Sequence, residues 1–170
     1  MTQWLWETSP DRNARFVLGT VGVNPLVCIG VNPSTAVPNR LDRTVTRVSQ
    51  FAERAGHDSW VMLNLYPQIS TDPVGLHWEP DPALTTENER HIAEQIDGRS
   101  LTVMAAWGVL VASRPYLGNH VRTIAALPAL ATVTWRSLGT PTKAGHPRHP
   151  LYVSGNTALK PFDIGSYARG

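Results

Sequence analysis

Four short apolar runs punctuate the chain: LVCIGV (residues 26 to 31), WVMLNL (60 to 65), LTVMAA (101 to 106) and LATVTW (130 to 135). They are rich in branched residues and show little polar alternation, the pattern of strands covered on both faces, so each predicts a central strand. Between the first two, DRTVTRVSQFAERA (42 to 55) sets Val45, Val48, Phe51, Ala52 and Ala55 at helical spacing, and Gly56 offers a stop. Residues 66 to 84 carry Pro67, Pro73, Pro80 and Pro82, which predicts a long loop. Thr86-Glu87-Asn88-Glu89 then has the form of a capping box, opening a helix to about Asp97 that Gly98 ends. Residues 108 to 127 predict a third helical connection, interrupted near Pro115 and Gly118, and FVLGTVG near the N-terminus predicts an edge strand or hairpin. Strands alternating with helices imply a three-layer α/β/α sandwich around a mainly parallel, four-stranded sheet. With no repeat and no linker in 170 residues, a single domain spanning 1–170 is expected.

In such sheets ligands bind beyond the carboxyl ends of the strands, where Asn32, Asn64 and Trp107-Gly108 all fall. In Asn32-Pro33-Ser34-Thr35 the carboxamide can orient a water and Pro33 stiffens the turn. The same residues also suit a turn whose Asn and Ser only satisfy local backbone groups. Asn64 interrupts an apolar run with a group able to donate and accept, suited to reading a base edge or to bonding a neighbouring loop. Trp107 is expected to be scaffold. The segment KAGHPRHPLY, residues 143 to 152, concentrates His146, Arg148, His149 and two prolines in one stiff loop. A zinc site there is disfavoured, because the prolines break helical ligand spacing and no carboxylate or Cys stands nearby. No metal and no other cofactor is expected.

Composition narrows the setting. Cys28 is the single cysteine and lies inside an apolar run, which excludes a disulfide framework and a thiolate cluster and suits a reducing cytoplasm. The N-terminus lacks the pattern of a secretory signal, and no window is long and apolar enough for a membrane span, so no membrane partner is expected. Net charge is only +2, yet thirteen of the fifteen basic residues are Arg, the side chain suited to phosphate. A nucleic-acid partner fits this balance; so does a mildly basic protein without one.

Taken in order, Gly30-Val31-Asn32-Pro33, Leu63-Asn64, Ala106-Trp107-Gly108 and His146-Pro147-Arg148-His149-Pro150-Leu151 resemble the signature of the uracil-DNA glycosylase superfamily. The first motif is closest to the G-I-N-P-G turn of the mismatch-specific branch. The last is closer to the H-P-S-P-L-S loop of the uracil-specific branch, with one residue inserted. Over most of its length the chain also resembles small bacterial and phage domains carrying N-P-S-T near the start and G-H-P-x-H-P-L near the end. That group includes phage-defence DNA glycosylases acting on glucosylated hydroxymethylcytosine.

The resemblance implies a uracil-DNA glycosylase-like fold and a monofunctional DNA N-glycosylase that flips out a modified pyrimidine and leaves an abasic site, with DNA as partner and no obligate protein partner. It implies that Asn32 positions the water and that His146 donates to the base O2, the insertion leaving His149 as the alternative. Asn64 would read the flipped base. Ser34 and Thr35 replace the bulky Tyr that shuts out C5 substituents in the uracil-specific branch, and Tyr66 opens the loop that could line the space so freed. Arg148 would hold phosphate and Leu151 could fill the vacated space as a wedge, with Lys143 and Tyr152 as further DNA-binding residues. A non-catalytic nucleic-acid binder on the same scaffold, or a metal-dependent hydrolase built on His146 and His149, remain as alternatives.

Overall fold

In the computed structural model, which describes all 170 residues, the apolar runs lie at the centre of one seven-stranded mixed sheet. The elements in chain order are β1 (Trp4–Thr8), β2 (Arg15–Thr20), β3 (Pro25–Gly30), α1 (Arg43–Arg54), β4 (Ser59–Asn64), α2 (Pro82–Ile96), β5 (Thr102–Ala105), α3 (Pro115–Ala125), β6 (Thr134–Leu138), β7 (Leu159–Pro161) and α4 (Ile164–Arg169). Spatial order is β1-β2-β4-β3-β5-β6-β7. The four central strands β4, β3, β5 and β6 are parallel; β1, β2 and β7 join antiparallel.

Every residue of β3 and β4 is buried, because apolar layers cover both faces. Leu26, Cys28, Met62 and Met104 pack under Val45, Val48, Phe51 and Ala52 of α1 on one face. Val27, Ile29, Leu63 and Val103 face Ile92 and Ile96 of α2 and Leu117, Val121 and Ile124 of α3 on the other. Burial raises the Cys28 thiol pKa far above its ordinary value, so this cysteine is an inert core residue. None of the helices is long and apolar enough to cross a membrane.

The sheet departs from the four strands expected. FVLGTVG does form a hairpin with β1, but β2 is interior, pairing with β1 on one side and β4 on the other. The last strand begins at Thr134 rather than Leu130: Pro128 starts a short 3-10 turn over Pro128–Leu130, and the strand itself is half exposed, so its true pattern is mixed rather than apolar. Helix α2 starts at Pro82, not Thr86. The Asp81 carboxylate accepts the Ala83 and Leu84 N–H groups at 2.9 and 3.4 Å, and Pro82 fills the first helical position, where its missing N–H costs nothing. The break in the third connection falls before Pro115, and Gly118 lies within α3.

The parallel centre fixes where a ligand can enter. From β3 the chain goes to β4 on one side and later returns to β5 on the other, so a crevice opens at the carboxyl end of β3 where the order reverses.

Candidate functional site

A cleft of about 450 Å³ occupies that crevice, lined among others by Asn32, Ser34, Asn64, His149, Leu151 and Tyr152. Its volume is in the range of small-ligand sites. With Ala106, which also lines it, residues from four separate sequence motifs meet at one point, each delivered by the end of a strand or the loop that follows it.

The turn after β3 is stitched to the loop after β4. Leu65 and Tyr66 donate their N–H groups to the Gly30 and Val31 carbonyls at 2.8 and 3.0 Å, and Ser70 N–H donates to Pro33 O at 2.9 Å. The Asn32 amide nitrogen faces three carbonyls, those of Pro33, Gln68 and Ser70, at 3.0, 3.3 and 2.9 Å. Only an NH₂ group can face three acceptors, which fixes the side chain's orientation and leaves Oδ1 as a bare acceptor for the cleft.

Asn64 ends β4 and is only 1 % exposed, yet neither its Nδ2 nor its Oδ1 has a protein partner. Its backbone carbonyl is satisfied by Asn88 Nδ2 at 2.8 Å, so the strand end is held while the side chain is left open. An unpaired buried amide costs ~1–3 kcal/mol, so these two atoms do not help the fold and are available to a ligand. Gly30, its register partner on β3, makes the space: a Cβ there would come within 2.9 Å of Met62 Cε and 3.1 Å of Asn64 Oδ1.

His149 caps the 3-10 turn Pro150–Tyr152, its Nδ1 accepting the Leu151 N–H at 3.1 Å. The proton therefore sits on Nε2, free to donate. Burial pushes the His149 pKa down, with Asp42 pulling weakly the other way, so the ring is neutral at pH 7. Two residues, Arg47 and Gly108, hold the loop. Arg47 of α1 donates to Pro150 O at 3.2 Å and also to Val153 O, and Gly108 N–H donates to Pro147 O at 2.9 Å.

Gly108 sits at φ 61°, where a Cβ would stand 3.2 Å from His149 Cβ. Gly108→Ala is therefore expected to strain the backbone by ~1–3 kcal/mol and to displace the imidazole. Thermal melting and the chemical shifts of the His149 ring, compared with those of the parent, check this; an unshifted ring in a folded variant would mean that the loop absorbs the added methyl elsewhere.

Of the other predicted site residues, all but Tyr152 lie outside the cleft. Tyr66 is fully buried and does not line the cleft; its hydroxyl accepts the Asp81 N–H at 2.8 Å and bonds His77 Nδ1 at 2.7 Å, tying down the loop that follows β4. Thr35 is exposed and outside the lining, as is Lys143. Arg148 spends its Nε on Thr140 O at 2.8 Å and borders a small side cavity with Gly108 and Tyr152. Tyr152 stands 77 % exposed at the cleft rim.

His146 is separated from His149. It lines a second cleft of about 690 Å³ near α4, where its Nδ1 bonds the Tyr167 hydroxyl at 2.8 Å, and that hydroxyl accepts the Trp107 N–H at 3.0 Å. Trp107 is buried, as scaffold should be. No three His, Cys, Asp or Glu side chains stand where they could hold a metal ion.

Reasoning from sequence missed Arg15, Asp42, Arg43 and Ser70, all in the cleft wall. Arg15 offers the only signal, a cation at the head of an apolar run, and nothing local distinguishes it from a strand-end residue at the surface.

No curated protein and no solved structure matches the chain. A family model does, the one described as protein of unknown function (DUF1643), over residues 15–151. That span includes every residue lining the cleft at β3 except Tyr152, whereas the Pro161–Gly170 wall of the second cleft falls outside it. Since the match takes in most of the sequence, the chain belongs to the DUF1643 family.

Proposed function

We propose that the cleft at the end of β3 receives a flipped-out nucleobase and that the protein is a monofunctional DNA glycosylase, hydrolysing the N-glycosidic bond of a C5-modified pyrimidine and leaving an abasic site. The observation that carries this reading is Asn64, a buried carboxamide with no protein partner beside an acceptor, Asn32 Oδ1, and a neutral donor, His149 Nε2.

Cleaving this bond needs few parts. Positive charge grows on the sugar and negative charge on the departing base, so a donor must face the base oxygen and a placed water must meet the sugar carbon. In this reading Asn32 Oδ1 accepts from the water and aims it, while His149 Nε2–H donates to the base O2. His149 takes that role rather than His146, whose Nδ1 is engaged with Tyr167 in another cleft. Asn64 pairs with the base edge once the nucleotide has left the stack, and because its amide is already desolvated that pairing offsets part of the flipping cost of a few kcal/mol. Arg148 and Lys143 would contact phosphate and Leu151 and Tyr152 fill the vacated stack. The resemblance to phage-defence domains supports a role against phage DNA carrying glucosylated hydroxymethylcytosine, in the cytoplasm.

Duplex and single-stranded oligonucleotides carrying defined C5-modified pyrimidines, incubated with the protein and then treated with alkali, test the proposal. Strand breaks at the modified base are expected. Binding without breaks would make the protein a non-catalytic nucleic-acid binder, and breaks that vanish with chelator would point to a metal.

Ser34 lines the cleft where a C5 substituent would lie in this reading. Ser34→Tyr should exclude a glucosylated or hydroxymethylated base by overlap and affect unmodified uracil, if it is processed, much less. Overpacking alone costs ~1–3 kcal/mol, so melting temperatures must be compared alongside. Release of the glucosylated base at the parent rate by a folded variant would remove Ser34 from that wall.

A further inference from the structure

Arg15, the first residue of β2, is 2 % exposed and lines the cleft, yet it forms no ion pair. Its Nη1 donates to Ala36 O at 3.0 Å, and its Nε has no protein partner at all. Burial lowers its pKa to about 10, with Asp42 acting weakly in the other direction, so the guanidinium is fully charged at pH 7. Buried charges in proteins are normally paired, because an isolated one forgoes its hydration without recompense.

Two neighbours sharpen the point. The first turn of α1, a twelve-residue helix, borders the same cleft through Arg43, Thr44 and Val45 and carries no acidic residue beyond its cap. Asp42, the one carboxylate in the lining, already accepts the Val45 N–H at 2.8 Å. Arg43 is exposed and Asp42 half-buried, so Arg15 is the one deeply buried charge of the lining, and it has no ion-pair partner. Helix N-termini add to such a field, and guanidinium is the side chain whose fork matches phosphate.

We propose that Arg15 is the anchor of a phosphate-binding subsite in this cleft, assisted by the first turn of α1, so that the natural ligand is held as a nucleotide and not as a free base. The subsite shares the cleft with the proposed base excision but does not depend on it, since it is read out by equilibrium binding alone.

The test uses the intact chain with inorganic phosphate, thymidine 5′-monophosphate and thymidine at constant ionic strength. In the parent protein, phosphate and the monophosphate should each shift the Arg15 Nε–H resonance saturably, and the monophosphate should bind at least tenfold tighter than the nucleoside. Arg15→Met should abolish that preference and Arg15→Lys should keep part of it, both judged in variants whose melting shows them folded. The resonance titration needs no variant, so it stands even if Arg15→Met fails to fold. An Arg15 resonance indifferent to both phosphates, or a folded Arg15→Met that still prefers the monophosphate tenfold, would make Arg15 a bracket for Ala36 O and overturn the subsite. Binding of inorganic phosphate without preference for the nucleotide would overturn the nucleotide assignment. Absence of base excision by the parent protein, with the phosphate preference intact, would instead count against the glycosylase reading alone.

Discussion

Asn32→Ala is expected to lower the single-turnover rate of base release by ~10²-fold or more while leaving DNA binding nearly unchanged. The proposed contact of Oδ1 is with a water that becomes a nucleophile only as the bond breaks, so its loss should appear in the rate and hardly in affinity. Alanine also deletes the three donor contacts that hold the turn after β3 to the loop after β4, and the carbonyls of Pro33, Gln68 and Ser70 then lose that partner. Some loss of stability should follow. Asn32→Asp separates the two effects: it keeps the shape and an acceptor but turns a carboxylate toward three carbonyl oxygens, so the turn should loosen even though an oxygen remains available for water. If the alanine variant loses binding in parallel while the rate per bound complex stays normal, Asn32 holds the loop and does not act on the water.

What could be seen in the sequence was whatever is encoded locally. Strands β3 and β4 are buried at every position, so their apolar runs are continuous and their ends could be placed within a residue. Asn64 stood out for the same reason, as the one amide in such a run. Helix α1 declared itself through Val45, Val48, Phe51 and Ala52, all of which meet the sheet. The elements that escaped depend on partners distant in sequence. β7 is three residues long and exists by pairing with β6; β6 carries Trp135 and Arg136 half buried, so its composition gives no clean period. The start of α2 was misplaced because two N-terminal signatures compete within six residues, and the Asp81–Pro82 pair wins over Thr86. The motif around the two histidines showed that a functional imidazole was plausible, but which ring enters the cleft depends on how Gly108 and Arg47 grip the loop. Arg15 was hard to tell from a strand-end residue at the surface for a deeper reason: its guanidinium bonds the Ala36 carbonyl, twenty-one residues on, and that turn leaves no mark at position 15.

Asn64→Leu should make the free protein more stable and the site inactive, a combination that a structural residue would not give. In the unliganded chain both polar atoms of Asn64 are buried and unpaired, between Met62 and the space that Gly30 leaves open. Replacing them with an apolar group of similar size removes a penalty of ~1–3 kcal/mol. For a domain of this size each kcal/mol moves the melting temperature by about 2–4 °C, so the rise should be measurable. The leucine can neither donate to nor accept from a base edge, and the ligand's own polar atoms would then be buried without partners, which is how a site built on hydrogen bonding rejects the wrong occupant. Release of the modified base should therefore fall by ~10²-fold or more. Leucine's branched end could crowd Met62, so Asn64→Val serves as the smaller control and should show the same pairing of effects with less steric cost. Should both variants melt well below the parent, Asn64 makes a structural bond and the cleft loses the feature on which its assignment rests. Should they fold and still release the base at the parent rate, recognition lies with other residues of the wall, and Asn64 does not read the base.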